Sequence, residues 1–201
     1  MLLPLFPLDL VLLPGNPLPL HIFEPRYREM VSECLERNQA FGVVRAKQEG
    51  VAEIGCTADI ISVSKKYDDG RMDIITRGHE RFEIVQVNQE RAFLQGKVIY
   101  LRDHGGNATA EEKARAMTLH GEILTLAGGR PVDSSEIREQ QLSFHLAGSL
   151  PIDLDFKQTL LETASESERV RTLIGFLQAI LPNVRRTVRV RQKAGGNGHA
   201  S

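Results

Sequence analysis

The chain reads as an α+β protein in which strands come first and helices second. Residues 1–105 break into short apolar or alternating runs with turn signals about every ten residues. Beyond residue 105, capping signals precede apolar stripes at helical spacing. A meander of short strands favours a small barrel or folded sheet, because closure removes exposed edges. The expectation is therefore a small barrel or folded sheet with one early helix over 1–105, a helical part over 106–182, and a basic, partly disordered tail over 183–201.

Each element has a local reason. Leu2–Leu8 and Leu18–Phe23 must be extended because X-Pro steps exclude helix, and their prolines suggest edge or bulged positions. Between them "LLPGNP" is a turn, with Gly15 and Asn16 available for positive φ. Pro25 suits the first turn of a helix, and Tyr27, Met30, Val31, Cys34 and Leu35 then form one apolar stripe ending near Asn38. Strands follow at 41–46, 54–67, 71–78, 81–87 and 92–101, with "DDG" at 68–70 as a hairpin turn. In the helical half, Thr109-x-x-Glu112 opens a helix to about Ala127. Asp133-x-x-Glu136 resembles a second cap, Asp155 a third, and Ser165-x-x-Glu168 opens the clearest stripe, Val170 to Leu181, which Pro182 ends.

Composition narrows the class. Hydrophobic residues make up 41% and charged residues 25% of the chain, as in an ordinary globular protein, and there is no Trp. The net charge of −1 gives no overall pull toward nucleic acid or acidic membranes. Residues 182–201 are the exception, holding Arg185, Arg186, Arg189, Arg191 and Lys193 without a single acid. Cys34 and Cys56 belong to no CxxC pair and read as buried free thiols in a reducing cytosol. The proline-broken N-terminus lacks the basic start and apolar run of a signal peptide, and no stretch is long enough to span a membrane. The expected location is cytoplasmic.

Candidate chemistry is sparse. Ser62 and Lys65 have SxxK spacing, but in a regular strand residues three apart point to opposite faces. His21, His79, His104, His120, His145 and His199 form no ligand pair, so neither a metal nor another cofactor is expected. "QGKV" at 95–98 lacks the glycine and the Ser/Thr of a phosphate loop. Glu24, Arg26 and Tyr27 cluster at a strand-to-helix junction, with Arg81 as an expected partner; the reading is a structural polar cluster that anchors the helix.

"LPLFPLDLVLLPGNPLPLHIFEPRYREMV" resembles the opening of the Lon protease N-terminal, substrate-binding domain, as do "FGVV" at 41–44, "IGCTADI" at 54–60, "DGR" at 69–71 and "GHERF" at 78–82. The segment "LSFHLAGSLPIDLDFKQTLLETASESERVRTL" resembles the same family's helical half, so the likeness runs from residue 1 to about 182. The resemblance implies a PUA-like β-barrel followed by helices, without the ATPase and protease domains of a full Lon protease. It also implies a non-catalytic module that binds exposed apolar segments of unfolded proteins or a specific partner. The residues expected to carry binding are Phe6, Pro14, Leu18, Ile22 and Phe23. Two alternatives stand beside this reading: a small-ligand sensor, and a weak RNA-binding PUA-like module using the basic tail.

Overall fold

The structure is a computed structural model that describes residues 2–129 and 141–196, with side chains described as far as Val190. The expected cap at Asp133 and the final residues of the expected disordered tail lie outside the described residues. The chain forms two compact units: one runs to Asp103 and includes Pro151–Ala164, the other comprises His104–Leu150 and the chain from Ser165 onward.

In the first unit the strands are β1 (Leu3–Leu8), β2 (Pro17–Ile22), β3 (Phe41–Arg45), β4 (Ile54–Lys66), β5 (Met72–Asn88) and β6 (Gln95–Leu101). They form one sheet in the order β2-β5-β4-β3-β1-β6, and an additional β5–β6 pairing closes five of them into a ring, leaving β2 outside on β5. All pairs are antiparallel except β1–β3. Contrary to the edge reading, β1 has neighbours on both sides, yet its prolines are tolerated for a simple reason. Pro4 lies in the stretch paired with β6 and Pro7 in the stretch paired with β3, so neither sits where both sides demand hydrogen bonds.

Residues expected as two strands, 71–78 and 81–87, are one 17-residue strand, β5. Its first half pairs with β2 and its second with β6, while β4 runs alongside. Gly78 marks the change of partner. A Cβ there would collide with the Leu13 carbonyl oxygen. The missing side chain lets the "LPG" turn dock, with Gly15 N–H donating to Gly78 O at 2.8 Å and Gly78 N–H to Asn16 O at 2.9 Å. Inside the ring Leu3, Leu5, Val44 and Phe82 form the core, and the Phe82 ring occupies the space that side chains at Gly42 and Gly55 would fill.

Helix α1 (Pro25–Arg37) buries Tyr27, Met30, Val31 and Cys34 of the expected stripe but leaves its fifth member, Leu35, exposed, and ends at Asn38 in the left-handed region with φ 48°. Helix α4 (Leu154–Glu162) was expected with the later helices but belongs to the strand-rich unit. Its cap is Asp153, which accepts from Phe156 N–H at 2.8 Å, rather than Asp155, whose carboxylate pairs with Arg45 at 2.6 Å. Gln158 Nε2 donates to Ile54 O of β4 at 3.0 Å.

The second unit holds α2 (Ala110–Leu126), α3 (Leu142–Gly148) and α5 (Glu166–Gly196). Thr109 and Glu112 close the expected capping box. Arg169, fully buried, shares the Glu166 carboxylate with Ser143 and lies 4.2 Å from the Phe144 ring. Helix α5 does not stop at Pro182. The proline removes one backbone bond, but Leu181, Val184 and Val188 continue the half-buried stripe and Arg185 pairs with Glu122 of α2 at 2.5 Å. The first part of the segment expected as a partly disordered tail is therefore helical, as far as Gly196.

Candidate binding surface

Strand β2 organises the surface. Pro17 and Pro19 have no N–H to give, so the ladder to β5 runs through Leu18, Leu20 and Ile22; Thr76 Oγ1 donates to Leu18 O at 2.8 Å from the same side. In a strand the direction of the backbone groups and of the side chain alternate together. Leu18, Leu20 and Ile22 therefore face inward, while Pro17, Pro19 and His21 face outward, and the burial follows that parity. Removing two donors also blunts the free edge of β2 against strand addition.

The outward face extends across β5 and β4 in rows. Pro17 lies beside Arg77 and Asp59; Pro19 beside Ile75 and Ser62; His21 beside Asp73 and Lys65. Exposed Ile61 bulges out next to the middle row, giving Pro19, Ile75 and Ile61 as an apolar band. A second bulge between Val63 and Lys65 brings Lys65 to the same face as Ser62, so the alternation argument that separated this SxxK pair does not hold. The Lys65 ammonium sits 4.4 Å from the Tyr67 ring centroid.

One end of the face is aromatic and charged. His21 Nδ1 donates to Asp73 Oδ1 at 2.5 Å, and Tyr67 Oη donates to Asp73 Oδ2 at 2.9 Å. The hydrogen bonds from His21 and then from Tyr67 hold the Asp73 carboxyl below the usual carboxylate range. The His21 ring stacks on Phe23 at 5.9 Å and meets Tyr67 edge-on at 5.8 Å, while Arg71 lies 4.9 Å from the Tyr67 ring and bonds Asp69 at 2.7 Å. Phe23 is 58% exposed.

The residues expected to bind thus separate. Phe6, Pro14 and Ile22 are buried, Leu18 is half-buried on the inner face, and Phe23 alone stands out in solvent. Phe6 packs 4.1 Å from Tyr27 and Pro14 is held in the docked turn. The structural polar cluster separates as well. Arg26 bonds Glu24 at 2.9 Å and covers the Tyr27 ring at 4.5 Å, largely in solvent. Arg81 is elsewhere and buried: it donates to Leu161 O at 2.8 Å and Thr163 O at 3.1 Å, and pairs with Asp103 at 2.5 Å. It caps the carbonyl end of α4 instead of anchoring α1. In the tail Arg185 is paired, Arg186 and Arg189 are exposed, and the side chains of Arg191 and Lys193 lie outside the described residues.

Among the described residues no group of His, Cys, Asp or Glu could hold a metal ion, and no helix is long and apolar enough to cross a membrane.

This architecture is that of Lon N-terminal domains. The structure is similar to that of a Lon N-terminal domain protein from Xanthomonas campestris, with a TM-score of 0.71 and 26% identity over 87% of this chain and 98% of that one. It shares its fold with the N-terminal domain of a Mycobacterium avium complex Lon protease, at a TM-score of 0.65 and 20% identity over 89% of this chain and 98% of that one. The chain belongs to the family of the ATP-dependent protease La (LON) substrate-binding domain, whose model it matches over residues 2–179. Lon protease 2 of Myxococcus xanthus is 26% identical over 192 residues, which cover 87% of this chain but 23% of that protease. The chain thus spans about a quarter of that relative's length.

Proposed function

We propose that the chain is a non-catalytic module that binds extended segments of other proteins on the outward face of β2, β5 and β4. The apolar band of Pro19, Ile75 and Ile61, together with exposed Phe23 beyond the His21 row at one end of the face, carries this reading. A band of apolar side chains on a rigid sheet buries area on contact, and prolines keep the ordering cost of β2 low. Family membership supports a protein as the partner. Docking through the free edge of β2 is disfavoured by Pro17 and Pro19, so side chains rather than a new ladder make the contact.

The test is binding of a permanently unfolded protein, reduced and carboxymethylated, followed by fluorescence anisotropy. The double variant Ile61→Ser/Phe23→Ser is expected to weaken binding at least about tenfold, since burying such a side chain contributes about 1.5–3 kcal/mol. Unchanged affinity would overturn the assignment of this face.

A further inference from the structure

We infer that the segments taken by this face are acidic, with one apolar residue held between two carboxylates in an extended conformation. The inference rests on the docking face proposed above and adds its charge preference. The acids in the two outer rows are already engaged, Asp73 by His21 and Tyr67 and Asp59 by His79 at 3.2 Å, and Asp69 in the adjoining turn is held by Arg71. Two cations keep their hydrogen bonds unspent. The Arg77 side chain is exposed and makes no hydrogen bond or ion pair among the described residues, and its cross-strand neighbour Asp59 pairs with His79 instead. Lys65 is exposed, lies over the π-face of Tyr67 and helps to hold the Asp73 carboxyl low, yet its ammonium makes no hydrogen bond or ion pair among the described residues, so its three donors stay available.

The spacing of these cations defines the ligand. Arg77 is in the row of Asp59, Lys65 is in the row of Asp73, and Ile75 lies midway with Pro19 and Ile61 on either side. Rows 77 and 73 are four residues apart on β5, or about 13 Å at the rise of a strand. An extended peptide places residues i, i+2 and i+4 on one side at that same pitch. Acid, apolar and acid at those positions would meet Arg77 or Lys65, the apolar band, and the other cation. Either chain direction satisfies the pattern, since each end offers one cation with donors to spare.

The experiment uses three fluorescein-labelled peptides with the cores Asp-Thr-Leu-Thr-Asp, Ser-Thr-Leu-Thr-Ser and Lys-Thr-Leu-Thr-Lys, titrated with the whole chain at low and high salt. The acidic peptide is expected to bind about fivefold tighter than the neutral one, the scale that two exposed ion pairs support, and to lose that advantage in high salt. Arg77→Glu should reverse the order of the acidic and basic peptides while leaving the melting temperature unchanged. Equal binding of all three, with loss in Ile61→Ser/Phe23→Ser, would overturn the charge preference and leave the face standing. Equal binding with no loss in that variant, or no binding at millimolar peptide, would overturn both. Tighter binding of a single-stranded oligonucleotide than of the acidic peptide would overturn the assignment to a protein segment.

Discussion

The two faces of β2 differ in everything except sequence neighbourhood. Leu18, Leu20 and Ile22 point into the unit, with Ile22 only 1% exposed, while Pro17, Pro19, His21 and, just beyond, Phe23 point out. The inner residues are strand formers whose burial stabilises the sheet. The outer ones are prolines and aromatics that contribute rigidity and exposed surface. A single heptapeptide therefore divides its labour residue by residue: one parity builds the fold and the other is free to meet a partner. Substitutions on the two parities should separate stability from binding.

The largest effect is expected on the inner side. Ile22→Ala should destabilise the chain by about 2–5 kcal/mol, because it removes buried methyls and leaves a cavity. Denaturant unfolding checks this, and a loss under 1 kcal/mol would place Ile22 outside the core. Arg81→Ala comes next, at about 3 kcal/mol, since it strips charge-assisted bonds from Leu161 O, Thr163 O and Asp103. The two cysteines supply a chemical readout of the inner region. Burial pushes the Cys56 thiol up to about 12 and the Cys34 thiol up to about 11. Neither should be alkylated at pH 8 in the native state, and both should react once the chain is unfolded; fast native labelling would mean that the core opens. The smallest stability effect belongs to the exposed junction. Arg26→Ala should cost less than about 1 kcal/mol, because its pair with Glu24 stands in solvent.

Sequence alone carried much of this and missed the rest for definite reasons. The α1 stripe, the capping box at Thr109 and the order of strands before helices follow from local patterns that the fold does not override. The parity of β2 was also legible: prolines cannot donate to β5, so Pro17 and Pro19 fix which side chains face out. Grouping Leu18, Ile22 and Phe23 as one surface mixed the two parities. The bulges in β4 were not legible, since a register shift is set by the partner strand, and they are what bring Ser62 to the same outer face as Asp59 and Lys65. Nor was the role of Arg81. Its partners Leu161 and Thr163 lie 80 and 82 positions away, and no local pattern encodes such a contact. Pro182 misled in the other direction, because a helix tied to α2 through Arg185 and Glu122 absorbs the loss of one backbone bond.

The most direct test of the outward face is methyl NMR on isoleucine-labelled protein titrated with the unfolded, carboxymethylated chain. Ile61 and Ile75, on the outward rows of β4 and β5, report on that face. Ile99, which is 57% exposed on β6, and Ile22 in the core report on the alternatives. The account predicts that the Ile61 and Ile75 signals shift with saturable binding while those of Ile99 and Ile22 stay in place. Shifts confined to Ile99, or to Ile123 and Ile174 in the helical unit, with Ile61 and Ile75 unmoved, would contradict it.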